Sequence, residues 1–247
     1  MKLPFLLLSI AASLPLSGIC QVTYFQTQKQ TIYNQTKNNT VPAQPLVFNL
    51  FCSVSTSAAG DANSFTVSTV DNVTLTPITG GTVFFGTIGF NTSQLLDAGF
   101  PVGDAYTFTA VGGTLNGQSG HLPIQADAYP QIPYLTGTSF TQAAAIKPNT
   151  SLTIHFGRHG KLVHISQVAL GIFSTDYSTT YMFTTASASA TSFKIPASVV
   201  NSLTPGVTYA GQVEVFNQKN VKSTGSFTSA SDDDGFVTIT TFPVKVK

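Results

Sequence analysis

Apolar and polar residues alternate with a period of two along most of this chain. Leu46, Phe48, Leu50, Cys52 and Val54 occupy every second position. Phe65 with Val67, Val73 with Leu75, and the run from Val83 to Phe90 continue the pattern after short breaks. Alternation over four to nine residues, bounded by Gly, Asn, Asp and Pro, is the signature of half-buried strands. Their spacing of about ten residues predicts sandwiches. No stretch after the N-terminus keeps a 3.6-residue period. Short helices are expected only at residues 92–98, where Thr92 or Ser93 can cap and Gly99 can stop, and at residues 197–202 after Pro196.

Both helical segments lead into related sequences. The first continues Phe100-Pro101-Val102-Gly103-Asp104-Ala105-Tyr106 before alternating Phe108 and Ala110. The second continues Leu203-Thr204-Pro205-Gly206-Val207-Thr208-Tyr209 before Gly211, Val213 and Val215. Apolar residue, proline, glycine, tyrosine and strand recur in that order, so the chain holds an internal repeat. The connector Asp127-Ala128-Tyr129-Pro130-Gln131-Ile132-Pro133 carries two prolines, which fix extended backbone and donate nothing to a ladder. It divides the chain into a first sandwich at 44–128 and a second at 132–247. Residues 21–43, rich in Thr, Gln and Asn, read as a polar N-terminal arm or an edge strand.

The segment from Leu203 to Val215 resembles the corner that opens a late strand of fibronectin type III domains. In such sandwiches a tyrosine hydroxyl bonds back to the backbone. The resemblance implies this structural-corner role for Tyr209 and, in the first half, for Tyr106. It covers about thirteen residues per half and implies an all-β fold of two consecutive immunoglobulin-like or fibronectin type III-like β-sandwiches. The chain contains no tryptophan, so the core tryptophan of such domains must be replaced by Phe or Tyr. The order of segments is also similar to tandem modules in uncharacterised exported proteins of bacteria, a likeness that brings no activity with it.

Composition adds a location. Lys2 precedes the apolar run from Leu3 to Leu16, which is shorter than the ~20 residues of a membrane-spanning helix and stands where a signal peptide has its hydrophobic region. The expectation is a signal peptide at 1–20, cleaved after Cys20, and a secreted or extracellular product, with cell-surface association left open. Cleavage two residues earlier would leave Cys20 to pair with Cys52. Charged residues make up 9% of the chain with a net charge of +1, and Arg158 is the lone arginine. Nucleic acid and anionic membranes, which require basic surfaces, are therefore poor partners.

Chemistry is sparse. Gly117-Gln118-Ser119-Gly120-His121 lacks the second glycine of a nucleophile elbow and reads as a hairpin. His155, His159 and His164 lack the helical spacing of a zinc protease. Ser231-Asp232-Asp233-Asp234-Gly235 lacks the alternating ligands of a calcium loop and reads as a solvated loop. The single aspartates sit in predicted turns and form no pair. The expectation is no enzyme, no catalytic, metal or cofactor site, and no cofactor. The role is adhesion, matrix or spacer, toward an extracellular protein or polysaccharide. The alternative is a carbohydrate-binding module with a platform of Tyr129, Tyr134, Tyr177 and Tyr181; a hydrolase ranks below both.

Overall fold

A computed structural model describes residues 22–78, 80–226 and 231–247; the expected signal peptide and Cys20 lie outside the described residues. The protein is all-β, with fifteen strands and three short helices among these residues. The first module uses β1 (Val22–Asn34), β2 (Pro45–Thr56), β3 (Ser64–Ser68), β4 (Asn72–Pro77), β5 (Val83–Phe90), β6 (Ala105–Val111) and β7 (Ser119–Pro123), with α1 (Ser93–Gly99) between β5 and β6. The second uses β8 (Ile132–Leu135), β9 (Leu152–His159), β10 (Gln167–Phe173), β11 (Thr180–Ser187), β12 (Ser192–Ile195), β13 (Thr208–Val221) and β15 (Ser231–Lys245). Helices α2 (Ser139–Ala143) and α3 (Ala197–Ser202) lie in its connections, and β14 (Thr224–Gly225) lies between its last two strands.

Strand neighbours give the two modules the same plan. In module one β1-β2-β5 form one layer and β4-β3-β6-β7 the other; in module two the layers are β8-β9-β12 and β11-β10-β13-β15. Each module thus sets its first, second and fifth strands against its fourth, third, sixth and seventh, the fibronectin type III arrangement. The alternating residues supply the interiors. Leu50, Cys52, Val54, Phe65, Val67, Leu75, Phe84 and Phe108 fill module one, while Ile154, Phe156, Val168, Leu170, Val213, Val215 and Phe242 fill module two. Phenylalanine pairs stand where tryptophan is absent. Phe65 meets Phe84 edge-on at 5.0 Å, and Phe156 stacks on Phe193 at 5.7 Å.

The repeat is structural as well. In each module a short helix precedes the sixth strand, and the turn between them passes through a left-handed glycine, Gly103 at φ 92° and Gly206 at φ 81°. A side chain there would be strained, which is why both copies place glycine at that step. Thr92 caps α1 by accepting from the Leu95 N–H at 3.2 Å. Helix α2 has no counterpart in the periodicity because it is a single five-residue turn.

Residues 22–34 correct the expectation of an arm or edge strand. They form the first strand of module one and lie inside a twelve-stranded sheet. One flank pairs antiparallel with β2 and the other parallel with β15, from Tyr24↔Ser231 to Asn34↔Thr241. Its polar side chains Gln26, Thr27, Gln28, Lys29, Gln30 and Thr31 are buried. A strand paired on both edges satisfies its backbone groups through the two ladders and can carry polar side chains inside, so its composition gives no sign of its depth. The chain continues into module two. The buried Gln35 accepts from the Leu135 N–H at 2.6 Å and donates to the Leu135 carbonyl at 3.0 Å, while Asn39 accepts from the Gly137 N–H at 2.7 Å.

Module two answers with its β13–β15 hairpin, which overshoots its own core. Val221 packs on the interior of module one, β15 extends one layer of that module, and β14 extends the other by pairing with β7 at Thr224↔His121 and Gly225↔Gly120. The connector is tied down as well: Thr238 Oγ1 donates to the Pro130 carbonyl at 2.7 Å and Thr240 Oγ1 to that of Pro133 at 2.6 Å. A third apolar cluster, built from Ile32, Ala169, Phe173, Tyr177, Phe216, Val237 and Ile239, draws on both modules. The two sandwiches are interlocked. Calorimetry is therefore expected to give one cooperative unfolding transition. Phe65→Ala in module one or Leu170→Ala in module two, each costing about 2–5 kcal/mol, should lower that transition as a whole. Two separately shifting transitions would contradict the interlock.

Candidate functional site

The two corner tyrosines occupy equivalent places at the start of their sixth strands, yet only one makes the corner bond. The Tyr209 hydroxyl accepts from the Thr204 N–H at 2.8 Å, closing the α3–β13 bend, and its ring meets Tyr181 edge-on at 4.9 Å. Tyr106 is fully buried, its ring tilted against Phe100 at 5.9 Å, and its hydroxyl has no hydrogen-bond partner among the described residues. Burial, and behind it the charge of Asp234, pushes the Tyr106 phenol well up. The expected corner role of Tyr106 is corrected: the phenol points into the core instead of back to its own bend.

The four tyrosines of the expected sugar platform do not share a surface. Tyr129 sits in the inter-module connector, edge-on to Phe48 at 6.3 Å and to Phe236 at 5.1 Å. The ring of Tyr134 lies across Gly157. Tyr177 is buried beside Phe173, with its hydroxyl accepting from Gln212 Nε2 at 3.3 Å. Tyr181 packs on the core of module two. Spacing along the chain carried no information about which face each ring would take, and the platform is not formed.

The acidic run is the larger surprise. Asp232, Asp233 and Asp234 are the opening residues of β15, not a solvated loop. Asp232 is buried and accepts from the N–H groups of Phe25 at 3.1 Å and Ser223 at 2.9 Å. Asp233 accepts from the Tyr24 hydroxyl at 2.8 Å and Asn220 Nδ2 at 2.7 Å. Asp234, also buried, accepts from Thr27 Oγ1 at 2.6 Å and the Gln125 N–H at 2.7 Å. The three carboxylates fasten the hairpin of module two to the first strand and connector of module one. Burial outweighs those hydrogen bonds and the nearby Lys29, so Asp234 is raised to about 6. Cys52 is a buried free thiol, raised well above its ordinary value by burial and by Asp234.

Among the described residues no three His, Cys, Asp or Glu side chains converge in a metal-binding set. His155, His159 and His164 are exposed along and beyond β9. Ser119 opens β7, and His121 Nδ1 lies 3.1 Å from Thr107 Oγ1. No described helix is long and apolar enough to cross a membrane.

A partly open pocket lies where the modules meet. It is a cavity of 330 Å³ between α1, the β1–β2 pair, the connector and β15, with Tyr129, Phe48 and Phe236 in its wall beside Asp97 and Asp127. Both carboxylates are ion-paired, Asp97 with Lys29 at 2.6 Å and Asp127 with Lys219 at 2.6 Å. Burial pulls Asp127 upward, but hydrogen bonds from Lys219, Asn217 and the Ala128 N–H outweigh it and hold the group below its usual range. That is the wrong direction for a general acid of glycoside cleavage.

Two measurements check these assignments. Tyr209→Phe should cost about 1 kcal/mol by loss of one hydrogen bond, whereas Tyr106→Phe should be neutral or stabilising because it deletes an unpaired buried hydroxyl; urea midpoints with unchanged slopes decide. Asp234, raised in the folded state, adds stability that is full below its unfolded value near 4 and is lost as pH climbs through about 6. The native protein should therefore lose about 1 kcal/mol between pH 5 and pH 7 relative to Asp234→Asn. Parallel pH profiles for the two proteins would contradict this.

No family model and no curated protein matches the chain. Among solved structures it is similar to the fibronectin(III)-like modules of Clostridium thermocellum CbhA. The match has 11% identity, 92% of this chain and 95% of that one covered, and a TM-score of 0.23. Strand order and packing define the fold.

Proposed function

We propose that the protein is a non-catalytic, exported β-sandwich scaffold with an adhesion, matrix or spacer role at or beyond the cell surface. The observation that carries this reading is the interlock. The β13–β15 hairpin completes both layers of module one, so the pair is one stiff body instead of two beads on a flexible connector. Adjacent domains in one chain are expected to move against each other unless their interface is large and apolar. Here the interface includes a continuous ladder and a shared apolar cluster. A spacer gains from this stiffness, because a rigid body holds a fixed distance between whatever its ends contact.

A surface with few charges and many hydroxyl and amide side chains fits polar, uncharged extracellular surroundings. The apolar N-terminal run supports export. In the cavity, Asp127 is held ionised and Asp97 is committed to Lys29, an arrangement that serves charge neutrality better than acid–base work.

NMR relaxation of the mature protein should give one rotational correlation time for amides of both modules, and X-ray scattering should fit a single rigid envelope. Independent tumbling of the modules would end the scaffold reading. Secretion is tested by sequencing the N-terminus of protein recovered from the medium of an expressing culture. Cleavage after Cys20 predicts a start at Gln21, and an intact Met1 counts against export.

A further inference from the structure

The cavity at the module junction has the composition of a ligand site, and we propose that it binds a neutral sugar, a mono- or disaccharide unit. Three observations select this class. Phe48, Tyr129 and Phe236 give the wall aromatic surface, and Tyr129 is fixed in place by the neighbouring Pro130 carbonyl, which accepts from Thr238. Aromatic side chains with a polar tip suit ligands that present both apolar C–H faces and hydroxyls.

The second observation is polar. The hydroxyls of Tyr129 and Thr31, both in the lining, are buried and face each other, and apart from that mutual contact neither has a hydrogen-bond partner among the described residues. Buried polar groups in native proteins are almost always satisfied, and exceptions point to a missing water or ligand. A hydroxyl pair bonded only to each other keeps one free O–H and unused lone pairs, and beside an aromatic wall these are matched by the donors and acceptors of a sugar ring.

Charge supplies the third. Asp97 and Asp127 reach the wall, but Lys29 and Lys219 cancel them, leaving carboxylate lone pairs that accept hydrogen bonds without a net field. An anion would find no free cation, and a cation would have to displace a lysine. The uncharged polyol is the class that uses every group present. At 330 Å³ the space lies at the lower end of the ~300–1,000 Å³ typical of small-molecule sites. Because its wall comes from both modules and their connector, binding depends on the interlocked state.

Titration of the ¹⁵N-labelled mature protein with cellobiose, xylobiose, mannobiose and diacetylchitobiose tests the proposal. At least one should give saturable shifts centred on the amides of Ser93, Asp97, Ala128, Tyr129 and Gln131, while glucosamine and glucuronate give none. Tyr129→Phe, which removes only the hydroxyl, should weaken binding about tenfold, the size of one hydrogen bond. Val102→Trp, at a lining position 47% exposed and so tolerant of a larger side chain, should fill the space and abolish binding with the remaining spectrum unchanged. Absence of saturable shifts with all four disaccharides, or shifts that persist in Val102→Trp, would overturn the site and leave a cavity for water only. The tumbling measurement is independent of sugar, so the scaffold reading stands or falls separately.

Discussion

The parallel ladder between β1 and β15 is the contact on which the rest of this structure depends. It joins a strand near the start of the chain to the last one, from Tyr24 opposite Ser231 to Asn34 opposite Thr241. Parallel pairs are slightly weaker per residue than antiparallel ones and occur where both faces are covered. Here the cover comes from module one's core at one end, module two's core at the other, and a shared apolar cluster behind. The buried aspartates reinforce the seam because each accepts hydrogen bonds from module one or from the neck of the hairpin. Remove the ladder and the β1 edge of module one is open, while the strand whose threonines hold the connector comes loose from module one.

Much of the architecture was legible because sandwich interiors obey a period of two. Val213 and Val215, Phe65 and Val67, Val73 and Leu75 all face inward as their spacing requires. The Gly103 and Gly206 steps marked the repeat for a reason local to the backbone, since left-handed turns select glycine wherever they occur. What lay hidden shares another cause. Residues 22–34 read as a polar arm because burial by pairing on both edges does not demand apolar side chains. Asp232 to Asp234 read as a loop for the same reason: a carboxylate satisfied by backbone N–H groups is indistinguishable in sequence from one satisfied by water.

Sites were less legible than the fold. Tyr106 and Tyr209 match in motif and in position, but hydroxyl direction depends on the bend, and only the second bend brings an N–H to meet it. Tyr129 reads from the sequence as one ring of a four-tyrosine platform, whereas in the structure it alone of the four borders the inter-module cavity. Its partners Phe48 and Phe236 are far apart in the chain and meet only through the interlock. A site built at a junction has no continuous motif to find.

The hairpin that closes module one comes later in the chain than every strand of that module, and this sets the order of events during folding. No fragment emerging first from a ribosome or a translocation channel holds the strands that seal the first module's layers. Native closure must wait until β15 is free. Loops of that span are slow to close, so the early strands spend longest with exposed edges. The same delay keeps the first half from locking into its native form before the second half has been made, so the two modules reach the native state together.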